Sequence, residues 1–120
     1  MIEIDDIIKT DVLDEYISDR HKQTLTIAAN NEELKIIVTI PHDVFEWYVD
    51  VFDRNGRKVL SNWLDHYGET QTNLRAEMKE SVEGFIVAVT KHPLRLIEGR
   101  KPEQSILQIY RNDRWTDKIY

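Results

Sequence analysis

Cysteine is absent from the 120-residue sequence. That excludes a disulfide framework, a thiolate metal site and a cysteine nucleophile. Glycine and proline are scarce, at four and three residues. No flexible or Pro-rich linker divides the chain, so a single domain over residues 1–120 is expected. The glycines are isolated, which removes the G-x-G-x-x-G and P-loop phosphate cradles. No apolar run approaches the roughly 20 residues that a membrane-spanning helix needs. The first 20 residues carry acids throughout, with no basic region ahead of an apolar stretch. No secretory signal is read there, and a cytoplasmic location without membrane contact is expected.

What the chain does contain is charge and enough apolar material for a core. Hydrophobic residues make up 41% and charged residues 32%, and aromatic and β-branched residues are too plentiful for a disordered chain. The net charge is −6, unevenly spread. Residues 1–20 hold seven acids against two bases, a balance of −5; residues 21–90 balance at −4; residues 91–120 hold seven bases and four acids, a balance of +3. Net acidity argues against a phosphate-backbone binder, which needs a basic footprint, so no nucleic-acid partner is expected. It suits steering toward a basic protein.

Hydrophobic periodicity lays out the elements. Residues 5–18 read as a short helix on Ile4, Ile7, Ile8, Val12 and Tyr16, with Asp5 and Asp6 in its first turn, or, given the β-branched residues, as an irregular or partly strand segment. Residues 24–29 and 34–40 read as a hairpin around Asn30 and Asn31, ended by Pro41. Residues 45–53 and 57–63 read as a second hairpin across Asp53-Arg54-Asn55-Gly56-Arg57. Its register stays open. A two-residue loop pairs Phe52 with Val59 and a three-residue loop pairs Val51 with Val59, so either Trp47 or Tyr48 faces the core. Leu74, Met78, Val82, Phe85, Ile86 and Val89 form one helical stripe over 72–90, capped by Thr72 or Asn73. A helix stopping at Gly84, followed by a strand over 85–90, is the alternative. Strands over 94–98 and 105–111 follow, with a further short one after Asn112-Asp113. The fold class predicted is α+β: an antiparallel sheet built from hairpins, with the long helix on one face and a short N-terminal helix.

Residues suited to chemistry do not assemble into a known motif. His21, His42, His66 and His92 lack metal-ligand spacing, so no metal and no cofactor are expected. None of the serines sits in a G-x-S-x-G elbow. Asp53-Arg54-Asn55-Gly56 departs from a calcium loop, because the glycine comes two places early and the final acidic ligand is missing. Asp65-His66-Tyr67 is the place where an unfamiliar enzyme site would be sought. The run Tyr110-Arg111-Asn112-Asp113-Arg114-Trp115 interleaves bases and aromatics and fits an edge strand as well as a base-stacking surface.

Small size, acidity, a surplus of aromatics and no cofactor motif favour a binding module over an enzyme. In size, charge and hairpin-rich α+β layout the chain resembles the small acidic immunity proteins that neutralise basic nuclease toxins in bacterial competition. The resemblance rests on no motif and transfers no residues. It implies a cytoplasmic bacterial inhibitor, monomeric or homodimeric, that occludes a basic toxin domain. The acids nominated for such a contact are Asp5, Asp6, Asp11, Asp14, Glu15, Glu46, Asp50 and Asp65. A structural subunit, docking through a sheet edge or the long helix, is the third reading.

Overall fold

A computed structural model of the chain describes residues 17–21, 23–41, 46–65 and 70–119. Within them the order is five strands, one helix and three strands. Strands β1 (Ile17–His21), β2 (Thr24–Ile27), β3 (Lys35–Thr39), β4 (Glu46–Phe52) and β5 (Lys58–Asp65) make an antiparallel meander in that order. Helix α1 (Gln71–Lys91) follows, and β6 (Leu94–Ile97), β7 (Ile106–Arg111) and β8 (Arg114–Thr116) form a second antiparallel sheet. The fold is α+β, but with two sheets where one was expected. The later strands find partners among themselves through short connections. The outer edge of β5 is meanwhile met by the 3₁₀ turn Pro102–Gln104.

Most of the expected N-terminal helix, and with it Asp5, Asp6, Asp11, Asp14 and Glu15, lies outside the described residues. Its last two positions do not: Ile17 and Ser18 belong to β1, which pairs with β2 through a bulge between Ile17 and Asp19. A β-branched residue beside the open edge of a hairpin is better served by a ladder than by a helix end.

The first hairpin behaves as its alternation requires. Leu25 pairs with Val38 and Ile27 with Ile36, and all four are buried. In the second hairpin the pairing is Phe52 with Lys58 and Val51 with Leu60, leaving Val59 as a bulge residue. Neither expected register occurs. A five-residue turn closes the hairpin, with Asp53 N–H donating to Arg57 O and Gly56 N–H to Asp53 O, and Gly56 at φ 79° supplies the left-handed step. The bulge lets two successive residues, Val59 and Leu60, both enter the core. On β4, Trp47, Val49 and Val51 point inward and Tyr48 outward.

Helix α1 runs unbroken through Gly84. Its N-cap is Thr70, whose hydroxyl accepts from the Asn73 N–H at 3.2 Å, two residues ahead of the expected Thr72 and three ahead of Asn73. At the other end His92 donates its N–H to Ala88 O before Pro93 stops the helix. Met78, Val82, Phe85, Ile86 and Val89 are buried as the stripe requires. Together with inward residues of both sheets, among them Ile36, Val49, Leu107 and Ile109, they form one continuous cluster. Two polar ties add to the apolar join: Asn30 N–H donates to Val89 O, and Asn31 Nδ2 to Leu94 O, at 2.9 Å each. Among the described residues no helix is long and apolar enough to cross a membrane.

Candidate functional site

The outer face of the β4–β5 hairpin carries the most exposed large apolar side chain of the described residues, Trp63, at 57%. Strand alternation puts Glu46, Tyr48, Asp50 and Phe52 on this side of β4, opposite Trp47, Val49 and Val51. Register then aligns Tyr48 with Trp63 and Asp50 with Ser61 across the ladder.

Glu46 organises one end of this face. Its Oε1 accepts from the Tyr48 hydroxyl at 2.9 Å and its Oε2 from Trp63 Nε1 at 2.7 Å. Both donors are neutral, and no cation is paired with Glu46 among the described residues. The two oxygens of one carboxylate thus hold two aromatic side chains. The hydrogen bond to Glu46 pushes the Tyr48 phenol above its usual range, with lesser contributions from burial and the same negative charge. Asp50 is placed differently. Its Oδ1 accepts from Ser61 Oγ at 3.0 Å and lies 3.5 Å from Lys58 Nζ, so its charge is largely met within the face. Lys58 in turn sits 5.9 Å from the Phe52 ring centroid.

Of the nominated acids, Glu46 and Asp50 share this face, and Asp65 stands opposite Glu46 in the ladder. Asp5, Asp6, Asp11, Asp14 and Glu15 are outside the described residues, as are His66 and Tyr67. Sequence reading missed Tyr48 and Trp63, the two residues that Glu46 holds.

A second feature is a cleft of about 500 Å³ where the turns after β2 and β4 meet β6. Arg57 crosses it, binding Asp53 Oδ2 through Nε at 3.2 Å and Glu98 Oε1 through its terminal nitrogen at 2.8 Å. The backbone N–H of Arg57 is the main cause of an Asp53 carboxyl held below its usual range, aided by the Arg57 guanidinium and the Asn55 N–H. The pairings are internally satisfied and fasten the β4–β5 turn to the second sheet. Among the described residues no group of three or more His, Asp or Glu is placed to hold a metal ion. Ser61 has a carboxylate partner, and among the described residues no histidine is hydrogen-bonded to it.

The β4–β5 face thus carries an exposed indole hydrogen-bonded to a carboxylate that has no cation partner among the described residues. No protein-family model, no curated protein and no solved structure matches this chain.

Proposed function

We propose that the chain is a binding protein that presents the outer β4–β5 face to a basic protein and neutralises it by occlusion, as an immunity protein does to a toxin. The observation that carries this reading is Trp63, more than half exposed yet held through its indole N–H by Glu46. Exposing an indole to water is unfavourable in the free protein. A bound partner that covers it recovers that free energy at little ordering cost, because the ring is already held. Glu46 beside it attracts a cationic rim and speeds encounter. A cytoplasmic setting, where a cell meets a toxin before its target, belongs to the same proposal.

Affinity capture from the native host, at low and high salt, tests it. A basic protein should be retained at low salt and released as screening rises. The recovered partner should bind Trp63→Ala about 30-fold more weakly, the scale of an interface hot spot. Recovery of no protein, binding that ignores salt, or full affinity for Trp63→Ala would sink the proposal.

A further inference from the structure

The three-stranded sheet also turns one face outward, and its character differs from the first. Register sets Arg95 opposite Gln108, Ile97 opposite Ile106 and Tyr110 opposite Trp115, while Leu94, Leu107 and Ile109 take the buried side. Ile97, Ile106 and Tyr110 stay 44%, 42% and 39% exposed. Ile97 and Ile106 sit side by side, and Tyr110 lies beyond the Arg95–Gln108 pair on the same face, so exposed apolar side chains flank that pair on both sides, a surface of the kind a partner covers.

Arg95 lies at its centre. Its Nε donates to Gln108 Oε1 at 2.8 Å, and its guanidinium stacks on Trp115, 4.2 Å from the ring centroid. Trp115 is braced edge-on by Tyr110, with centroids 5.5 Å apart and planes at 67°. These contacts occupy Nε and one flat side of the guanidinium. Its two terminal amino groups have no acceptor among the described residues. Glu98, just beyond β6, is engaged by Arg57. A braced guanidinium with no carboxylate partner among the described residues presents a planar fork that fits a carboxylate through two parallel hydrogen bonds.

We propose that this face is a second docking surface, whose occupant is a protein segment carrying a carboxylate between apolar side chains. The carboxylate meets Arg95, and its apolar neighbours cover Ile97, Ile106 and Tyr110. Charge complementarity selects this occupant. A single-stranded nucleic acid asks for a track of cations and open aromatic faces. Here one side of Trp115 is taken by Arg95, and an isoleucine pair lies on the far side of Arg95 and Gln108.

The proposal is independent of the Trp63 face, and its test separates the two. A random dodecapeptide phage library is selected against the full chain, and the enriched peptides are synthesised. They should carry Asp or Glu flanked by apolar residues. Arg95→Ala and Arg95→Gln should weaken their binding by about tenfold or more, the scale of a hydrogen bond to a charged group. Arg95→Lys should restore only part, because lysine lacks the fork, and Trp63→Ala should bind as wild type. Winners without an acid, or equal binding by the folded Arg95 variants, overturn the proposal. So does Arg95-dependent self-association in light scattering, or Arg95-dependent binding of oligo-dT, either of which assigns the face to a different occupant.

Discussion

Trp47 of β4 and Phe85 of α1 meet edge to face, with ring centroids 5.6 Å apart and planes inclined at 64°. Both are fully buried, and they join the first sheet to the helix. Removing Trp47 leaves a large void in a close-packed core, so Trp47→Ala is expected to cost about 3–5 kcal/mol. Phe85→Leu keeps apolar bulk and should cost less. A double-mutant cycle on the two sites should return a coupling of about 0.5–1.5 kcal/mol, the usual worth of such a ring contact beyond its area. Urea unfolding measures all three, and additive losses would count against a direct contact.

Gly84 and Gly99 should respond to alanine with opposite signs. Gly84 is exposed in the middle of α1, and an added methyl would meet nothing within 4 Å. Gly84→Ala should stabilise the protein by about 1 kcal/mol, the difference in helix propensity. At Gly99 the same methyl would lie 2.6 Å from the Gln104 backbone carbon. That strand-to-turn approach must open to admit it, and Gly99→Ala should cost about 1–3 kcal/mol. Thermal melts of the two variants, one above and one below wild type, check the pair.

Asp53 should impose an acid-side pH dependence. Its folded-state pKa is lowered from 3.8, chiefly by the Arg57 backbone N–H. A depressed carboxyl stabilises the fold at pH values above the unfolded pKa. That contribution is lost as pH falls through the lowered folded value. The gap in urea midpoint between wild type and Asp53→Asn should therefore be steady near neutrality and narrow below about pH 4. A gap that widens on acidification would show the reverse shift.

Residues whose neighbours are local in sequence were the legible ones. The α1 stripe, the first hairpin and the Asn112-Asp113 turn each carry their own signal. Both turn residues adopt the left-handed conformation, with φ of 56° and 64°, as a two-residue hairpin loop demands. The Val59 bulge was not legible, because it depends on how the Asp53 carboxylate closes the turn. Yet the orientation of Trp47 was within reach: Trp47, Val49 and Val51 are uniformly apolar while Glu46 and Asp50 are charged, and that contrast decides the face without any register. Capping moved to Thr70 because a cap is chosen by where the helix can begin against its neighbours, not by residue type alone. The division into two sheets was hidden for the same reason, since nothing local says that a 3₁₀ turn will come to rest against β5. At the candidate site, the acids were visible as residue types, whereas the sharing of Glu46 by Tyr48 and Trp63 required three-dimensional placement.

Both sheets are meanders in which every ladder joins strands consecutive in the chain. Each pairing closes over a short connection, so the entropic cost of strand assembly is small and the mean separation of paired residues is low. Long-range cost is concentrated elsewhere, in ties such as Asn31 to Leu94, 63 residues apart, and in the seating of α1 between hairpins made before and after it. Strand pairing therefore asks for little loop-closure entropy, and the long closures of the fold include those that seat α1 against the first sheet, the Trp47–Phe85 contact among them.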